Sequence, residues 1–260
     1  FLIERTRKEV MQHMMKENLG LITVRQTKAG EIWHHCWIAD NIIESSYISN
    51  KTSEINYLFP LYLYSSHMFK EKDEVIEKVP NIKEEIFEML QKEYKKEVTP
   101  EEIFYYIYGV LYSNIYREKY AEFLKIDFPR VPFTKNYELF KQIGSLGKEL
   151  ISLHLLNSEK LNNSTSKFEG EGNNLVKYVK YDENKKSVFI NENQYFTNIE
   201  KDIWEYMIGG YQVLYKWLKD RKGRFLSLDE ILNYAKIVTS LKYTIELQKE
   251  IDTIELNNEI

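Results

Sequence analysis

The stretch from Thr99 to Phe133 restricts the fold of this chain more than any other part of the sequence. It opens with Thr99-Pro100-Glu101-Glu102, in which a threonine cap, a proline and a glutamate three residues after the cap predict a helix start. Apolar residues follow at helical spacing, at positions 103, 107, 110 and 111. The sequence therefore predicts an amphipathic helix with a defined beginning and one buried face.

The same stretch also predicts where this helix ends. The pattern breaks at Ser113-Asn114 and restarts as YREKYAEFL. The segment DFPRVPF follows, and its prolines at 129 and 132 cannot continue a helix because they lack a backbone N–H. We expect two helical pieces and then an exit that the prolines fix.

The first quarter of the chain has a β-rich pattern. LITVRQ, EIWHHCWIAD and NYLFPLYLYSS are short, are rich in β-branched or aromatic residues and are separated by turn-forming clusters. Pro60 predicts a sheet edge or a bulge in the third segment, because proline cannot donate to a strand ladder. A helix over residues 3–17, ending near Asn18 and Gly20, is predicted to precede the strands.

Helices dominate the remainder, together with one hairpin. LVKYVKY and SVFIN, joined by DENKK, predict a β-hairpin. Gly209-Gly210 interrupts a helical pattern over residues 199–223, and Ser227-Leu228-Asp229-Glu230 is a second capping box that opens a helix to about Ile254. The other predicted elements are a charged linker at 68–79, an exposed helix at 81–97, a helix at 136–156 and a surface loop at 157–174.

These elements predict an α+β fold, because strands and helices do not alternate as they do in a doubly wound sheet. A small β-rich N-terminal part and a β-hairpin are expected to pack with a larger set of helices. The predicted organisation has four parts: a β-rich part (1–70), a helical part (71–156), a loop with the hairpin (157–197) and C-terminal helices (198–260).

Size and composition describe a globular chain without a membrane anchor. Its 260 residues can bury a large core, and no apolar run reaches the ~18 residues that a membrane-spanning helix needs. No signal peptide is visible, and the single cysteine, Cys36, excludes an internal disulfide framework and favours the cytoplasm. The chain begins at Phe1 and enters a helical pattern directly, so we expect a fragment or a processed piece.

The sequence lacks the motifs of catalysis on nucleotides and DNA. Amino-methyltransferases use an Asn/Asp-Pro-Pro-aromatic loop, whereas no two of the five prolines here are adjacent. Gly170-Glu171-Gly172 lacks the third glycine of a dinucleotide-binding loop, and no Gly-Lys-Ser/Thr is present. Glu93-Tyr94-Lys95 and Glu183-Asn184-Lys185 match the acid-x-Lys pattern of nucleases, but they fall in a predicted helix and a predicted turn. We therefore predict no catalytic residues in this chain.

His34-His35-Cys36 places three potential metal ligands or nucleophiles in a row. On a strand only His34 and Cys36 would face the same side, and no second cluster has ligand spacing, so we predict no metal site. Cys36 beside His35 also suggests a hydrolytic enzyme, although strand neighbours cannot form the required hydrogen bond. This alternative predicts that Cys36→Ala abolishes activity.

DNA contact is the function that the polar residues favour. The net charge of -4 gives no overall attraction to DNA, so any DNA-facing surface must be local. Arg25-Gln26 ends a predicted strand, and SSYISNKTSE (45–54) is a polar loop. Arginine suits guanine edges and Asn or Gln suits adenine edges. The predicted base or groove contacts are Arg25, Gln26, Asn50, Lys51 and Thr52.

Two further groups of basic residues predict contacts to DNA phosphates. KWLKDRKGR (216–224) lies at a predicted helix end, and Tyr116-Arg117-Glu118-Lys119 follows the helix break. Compensation of the helix dipole and ordinary solvation are the competing explanations. The predicted phosphate contacts are Arg117, Lys119, Lys219, Arg221, Lys222 and Arg224.

Several segments, taken in order, resemble one family. They are RKEVMQHMMKENLGLITVRQ, YISNKTSEINYLFPLYLY, YREKYAEFLKIDFPRVPF with LGKELISLHLL, INENQYF, and IWEYMIGGYQVLYKWLKDRKGRFLS. Together they resemble the C-terminal target-recognition region of type ISP restriction–modification enzymes and of related N6-adenine DNA methyltransferases.

This resemblance implies a chain that grips double-stranded DNA and reads bases while the target adenine is flipped into a neighbouring domain. In the family, that domain is a methyltransferase that uses S-adenosylmethionine, and larger members carry a helicase-like motor and a nuclease further upstream. The resemblance therefore implies a covalently linked methyltransferase domain outside this chain. It also implies S-adenosylmethionine as a cofactor of the parent enzyme only, and a bacterial, cytoplasmic protein.

A protein-interaction module is the alternative from another class. The chain contains 20 tyrosines, and tyrosine-rich faces of a helical scaffold would then bind a partner subunit instead of DNA. This alternative predicts a large exposed aromatic patch and no retention of DNA at low salt. Buried tyrosines with satisfied hydroxyls are the competing explanation of the composition.

Overall fold

The computed structural model describes residues 7–27, 32–44, 55–65 and 78–254, and it confirms the predicted α+β class. The helices are α1 (Lys8–Met11), α2 (Glu84–Tyr94), α3 (Pro100–Tyr112), α4 (Asn114–Lys119), α5 (Ala121–Ile126), α6 (Tyr137–His154), α7 (Lys201–Trp204), α8 (Val213–Lys219) and α9 (Leu228–Asp252). The strands are β1 (Gly20–Val24), β2 (Cys36–Ala39), β3 (Asn56–Pro60), β4 (Tyr62–Tyr64), β5 (Lys78–Pro80), β6 (Phe168–Glu169), β7 (Lys180–Asp182), β8 (Ser187–Phe189), β9 (Tyr195–Phe196), β10 (Met207–Ile208) and β11 (Tyr211–Gln212). Gln12–Met15 and Glu159–Asn162 form short 3₁₀ helices.

The chain divides into two compact units. Unit 1 comprises residues 1–151 and 250–260, and unit 2 comprises residues 152–249. The boundaries therefore fall inside α6 and α9. None of the helices in the described ranges is long and apolar enough to cross a membrane.

A three-stranded antiparallel sheet, in the order β2-β1-β3, forms the β-rich part of unit 1. In the central strand, Gly20 pairs with Ala39 of β2 and with Pro60 of β3. Ile22 and Val24 point to the same face of β1 and join a buried apolar cluster there. Pro60 lies on an edge strand, as predicted, where its missing N–H breaks no ladder.

The helix starts predicted from the two capping boxes are confirmed. The Thr99 hydroxyl accepts from the Glu102 N–H at 3.2 Å, and the Glu102 carboxylate accepts from the Thr99 N–H at 2.9 Å. Ser227 and Glu230 make the same reciprocal pair at the start of α9. The predicted break after α3 is also confirmed, because the Ser113 hydroxyl caps α4 by accepting from its backbone at 3.1 Å.

Helices α3 and α6 approach each other closely at two glycines. A Cβ on Gly109 would lie 2.8 Å from the carbonyl oxygen of Ile143, and a Cβ on Gly147 would collide with the carbonyl oxygen of Tyr105. Glycine is needed at both positions, because any larger residue would separate the backbones. The fully buried rings of α3 and α6 are Tyr106, Tyr108, Tyr112 and Phe140.

Unit 2 contains a four-stranded antiparallel sheet in the order β6-β9-β8-β7. The predicted hairpin is confirmed, since Tyr181 of β7 pairs with Val188 of β8. Val188 and Phe196 of the sheet belong to one buried cluster with Leu214 of α8 and Tyr234 of α9. The long helix α9 therefore completes the core of this unit with its buried face.

The Gly209-Gly210 pair forms a turn between strands and not a break inside a helix. Met207 and Ile208 pair with Gln212 and Tyr211 as an antiparallel hairpin, and the two glycines connect the strands. Gly209 has a φ of +54°, which glycine adopts without steric cost. The helical pattern over residues 199–223 thus resolves into α7, a short hairpin and α8.

Two segments predicted to lack regular structure contain short elements. Lys78–Pro80 forms β5 and pairs with β4, so the end of the predicted linker is a strand, while residues 66–77 lie outside the described ranges. The predicted loop at 157–174 contains a 3₁₀ helix and β6. The two strands are short, and each gains its ladder hydrogen bonds from a partner strand, β4 for β5 and β9 for β6.

Tyrosine hydroxyls bind the segment that follows α5, which we call the proline segment (residues 128–134). This segment has no helix or strand, and its two prolines cannot donate backbone hydrogen bonds. The hydroxyl-to-carbonyl hydrogen bonds run from Tyr116 to Arg130 (2.9 Å), from Tyr106 to Pro132 (2.9 Å) and from Tyr94 to Thr134 (2.6 Å). Three alternate carbonyls, those of Arg130, Pro132 and Thr134, therefore each accept from a tyrosine that belongs to a helix.

We expect Tyr106→Phe to lower the free energy of unfolding by about 1–3 kcal/mol. The change would leave the Pro132 carbonyl and the buried Thr134 N–H, which lies 3.1 Å from the Tyr106 oxygen, without this partner. Tyr234→Phe is the matched control, because Tyr234 is fully buried and its hydroxyl has no hydrogen-bond partner among the described residues. Its loss should be close to neutral or stabilising. Urea denaturation measures both variants, and equal destabilisation would contradict the role given to the Tyr106 hydroxyl.

Candidate nucleic-acid interface

Arg25 follows β1 directly, and its side chain is 61% exposed. Its Nε donates to Oδ1 of Asp127 at 3.3 Å. The backbone beside it is also fixed, since the Thr27 N–H donates to the Lys125 carbonyl at 3.1 Å. The strand end that carries Arg25 and the exposed Gln26 is thus held against the end of α5.

Two further arginines lie near this strand end. Nη2 of Arg130 lies 3.9 Å from Oδ2 of Asp127. The guanidinium of Arg7 lies over the ring of Tyr57, with Cζ 5.7 Å from the ring centroid, and Tyr57 contacts the ring of Phe128. We define the arginine cluster as Arg7, Arg25, Arg130 and Asp127, which together carry a formal charge of +2.

Asp127 is an ionised partner of these arginines at neutral pH. A hydrogen bond from the Phe128 N–H, followed by the guanidinium groups of Arg25 and Arg130, holds the pKa of the Asp127 carboxyl below its ordinary value. The carboxylate therefore remains a charged acceptor for Arg25 throughout the range in which DNA binding is measured.

Aromatic packing connects Asp127 back to the sheet. The ring of Phe128 packs edge-to-face on Tyr57 and Phe59, at centroid distances of 5.0 and 5.5 Å. Both partners lie on β3, and Tyr57 pairs with Thr23 of β1, two residues before Arg25. The residues on both sides of the Arg25–Asp127 ion pair are thus held by one sheet.

Unit 2 carries a second basic surface, but one of its residues has a structural role. The guanidinium of Arg221 stacks on Trp217, with Cζ 3.5 Å from the ring centroid, and its Nη1 donates to the Trp217 carbonyl at 3.0 Å. Its Nε lies 3.1 Å from Oε1 of Glu230, and the side chain is only 23% exposed. Arg221 therefore braces the end of α8 against the start of α9.

Glu230 is the acceptor that organises this surface. It accepts from the Ser227 N–H, from Nε of Arg221 and from Nη2 of Arg224 at 3.2 Å. The Ser227 hydrogen bond and then the two arginines hold the pKa of its carboxyl below the ordinary value. Arg224 nevertheless stays largely exposed, so part of its guanidinium can still meet a phosphate.

The lysines of this surface lie at the last residue of α8 and on the exposed turn that follows it. Lys219 and Lys222 are exposed, and Nζ of Lys219 lies 5.5 Å from the ring centroid of Tyr215. Gly223 has a φ of +82°, and its N–H donates to the Val176 carbonyl at 2.8 Å, which fixes the turn. We define the basic turn as Lys219, Lys222 and Arg224.

Arg117, which the sequence predicts as a phosphate contact, is buried in the structure. Arg117 is 5% exposed, and its Nε donates to the carbonyl of Leu111 at 2.7 Å. The guanidinium also lies over the rings of Tyr112 and Trp33, at 4.7 and 5.7 Å. It satisfies a carbonyl in the last turn of α3, so we assign Arg117 a structural role. Lys119, in contrast, is exposed.

Three of the predicted groove contacts, Asn50, Lys51 and Thr52, lie outside the described residues.

The His34-His35-Cys36 run lies in a buried environment. Burial, together with nearby Arg117 and His35, lowers the pKa of His34 to about 4, and burial raises the pKa of the Cys36 thiol to about 12. A protonated, fully buried thiol lacks the thiolate character of a nucleophile. Within the described ranges, no three His, Cys, Asp or Glu side chains group as metal ligands.

The fold belongs to a class of specificity domains. The model of the family described as "Type ISP C-terminal specificity domain" matches residues 1–250, so the chain belongs to that family. The resemblance identified from the sequence segments is thereby confirmed. No curated protein matches the chain.

Solved structures of larger proteins contain the same fold. A structure of the ATP-dependent Type ISP restriction-modification enzyme LlaBIII bound to DNA matches with a TM-score of 0.69 and 21% identity, over 92% of this chain and 16% of that chain. A nuclease-deletion mutant of the Type ISP enzyme LlaGI in complex with a DNA substrate mimic matches with a TM-score of 0.61 and 20% identity, over 90% and 18%. A DrdV–DNA complex matches with a TM-score of 0.72 and 19% identity, over 97% and 26%. The chain thus spans at most about a quarter of the length of these proteins.

Arg221→Ala should destabilise the protein by about 1–2 kcal/mol, because it removes stacking on Trp217 and a half-buried partner of Glu230. Lys222→Ala, at the neighbouring exposed position, should change stability by less than about 0.5 kcal/mol. Thermal and urea unfolding of the two variants provide the measurement. If Arg221→Ala unfolds like the unchanged protein, Arg221 does not stabilise the junction between α8 and α9. It would then again be a candidate phosphate contact.

Proposed function

We propose that this chain recognises the DNA target sequence of an adenine-N6-methylating restriction–modification enzyme. The observation that carries this proposal is the match to the specificity-domain family over residues 1–250. The structures with the same fold are DNA complexes, and the arginine cluster provides exposed groups suited to DNA at a rigid strand end.

In this proposal, different residues provide discrimination and affinity. Arg25 and Gln26 contact base edges, and Asn50, Lys51 and Thr52 remain proposed groove contacts. The phosphate contacts are Lys119, Arg130 and the basic turn, because these cations are exposed. Phosphate contacts fix the register on the duplex and supply most of the sequence-independent affinity, whereas base contacts choose the site.

The chemistry belongs to a different part of the protein in this proposal. A covalently linked methyltransferase domain with S-adenosylmethionine would receive the flipped adenine and methylate it, while this chain holds the duplex. The buried, protonated Cys36 gives no support to the hydrolytic alternative. We place the protein in the cytoplasm, where bacterial DNA and the cofactor are both present.

The protein-interaction alternative has less support from the tyrosines than their number suggests. Tyr94, Tyr106 and Tyr116 direct their hydroxyls to backbone carbonyls of the proline segment, and Tyr112 directs its hydroxyl to the Cys36 carbonyl at 3.0 Å. These four side chains are buried. They therefore stabilise unit 1 and present no aromatic surface to a partner.

The lysines of the basic turn test the proposed phosphate contacts. In the full-length protein, Lys219→Ala and Lys222→Ala should each weaken binding to all duplexes alike and reduce the slope of log K against log salt by about 1. Lys92→Ala, on the acid-rich helix α2, is the control and should leave the slope unchanged. Fluorescence anisotropy between 50 and 200 mM salt measures this slope. An equal effect of all three variants, or none, would exclude the basic turn as the phosphate-binding surface.

Arg25 tests sequence recognition itself. Arg25→Ala should lower the ratio of cognate to unrelated affinity by roughly 5- to 150-fold, because a lost bidentate base contact removes about 1–3 kcal/mol of discrimination. Overall affinity should fall much less. Competition binding with cognate and scrambled duplexes gives the ratio, and a uniform loss on both duplexes would argue that Arg25 contacts a phosphate instead.

A further inference from the structure

We propose that Asp127 is a positioning residue that orients Arg25 to contact a guanine. The target sequence would then contain a G·C base pair at the position that faces Arg25, at the end of β1. This inference rests on the proposed DNA-recognition function. The sequence pattern did not single out Asp127, and the proposal assigns it a role in the recognition of guanine by Arg25.

The hydrogen-bond geometry determines which part of Arg25 remains available. Asp127 engages Nε of Arg25, which is the inner nitrogen of the guanidinium. Among the described residues, nothing hydrogen-bonds to the two terminal nitrogens of Arg25. Those two nitrogens form the planar fork that matches O6 and N7 of guanine in the major groove. A carboxylate on Nε therefore orients the fork without occupying it.

The position of Asp127 is itself fixed from several directions. Its backbone N–H donates to the Phe123 carbonyl at the end of α5, at 3.1 Å. The next residue, Phe128, packs on β3, and the Arg130 carbonyl accepts from the buried Tyr116 hydroxyl. An arginine side chain loses up to about 2 kcal/mol of rotamer entropy on ordering. A fixed carboxylate that orders Arg25 before binding reduces this loss at the moment of recognition.

The charge of Asp127 adds a second, repulsive contribution to specificity. A carboxylate near the DNA opposes the approach of phosphates, so it weakens binding to every sequence. It also discourages Arg25 from pairing with the backbone in place of a base. Asp127 should therefore lower affinity for unrelated DNA while it raises discrimination at one base pair, and specificity arises from both effects.

The test uses the full-length protein and a library of duplexes with randomised positions. Selection first gives the preferred sequence of the unchanged protein, and single base-pair substitutions then give the discrimination at each position. We expect Arg25→Ala and Asp127→Asn to reduce discrimination at the same G·C pair, with Asp127→Asn giving about a tenfold reduction. Discrimination at the other positions should persist, and binding to unrelated duplexes should become tighter in Asp127→Asn.

Glu122→Gln is the matched control, because it removes an equal charge from the neighbouring turn of α5, where Glu122 pairs only with Lys125 among the described residues. It should tighten unrelated binding in the same direction and leave discrimination at the G·C pair intact. Thermal unfolding of Asp127→Asn should match the unchanged protein closely, since exposed ion pairs contribute little stability.

The outcomes separate this inference from the function on which it rests. Full discrimination in Asp127→Asn, an equal loss at every position, or a loss at a base pair that Arg25→Ala does not affect would each overturn the positioning role alone. An unchanged protein that selects no sequence from the library would overturn both the proposed function and this inference.

Discussion

The hydrogen bonds from tyrosine hydroxyls to the proline segment are the interactions on which the rest of unit 1 depends. Residues 128–134 form no helix or strand, and the two prolines among them offer no backbone N–H, so side chains provide donors for the carbonyls of this segment. Tyr94, Tyr106 and Tyr116 supply those donors from three helices, and each ring also fills core volume. Tyrosine is suited to this role because one side chain provides both apolar area and a terminal hydroxyl. The abundance of tyrosine follows in part from the need to fix this irregular segment, and the segment in turn places Asp127 and Arg130.

Two arginine–carboxylate ion pairs in this chain, Arg221–Glu230 and Arg25–Asp127, differ in burial. This difference determines whether the arginine stabilises the fold or remains available to a ligand. Arg221 gives Nε to Glu230 and Nη1 to a backbone carbonyl while its plane stacks on Trp217, so little of its fork remains for a ligand. Arg25 gives only Nε to Asp127 and remains mostly exposed. The first pair stabilises a junction between helices, and the second is suited to recognition. Composition alone cannot separate the two cases, because both arginines belong to basic or polar stretches at the end of an element.

Local signals in the sequence determined what could be predicted. The capping boxes at Thr99 and Ser227 act within four residues, so they could be identified directly. Gly209-Gly210 was misassigned because helix-forming residues on both sides hid a two-residue turn. The burial of Arg117 depends on Trp33, which is distant in the sequence, and the Arg25–Asp127 contact joins residues 102 positions apart. The family could be identified without any of these contacts, because ordered segments carry that information, but the individual functional side chains depend on tertiary neighbours.

A specificity domain with a net charge of -4 faces a constraint that a basic DNA-binding domain does not. Its net negative charge gives no long-range attraction to the duplex. In the proposed function, attraction to the phosphates must therefore come from local cations such as the basic turn and the arginine cluster. We therefore expect weak binding to unrelated DNA, which would favour selectivity when the genome offers many competing sites. In the proposed assembly, a linked catalytic domain would add its own contacts to the same duplex, and the affinity of this chain could stay low because linkage raises the effective concentration of both modules. In this proposal the chain needs rigid, well-placed base contacts more than it needs positive charge, and we propose that Arg25, held by Asp127 at the end of β1, is one of them.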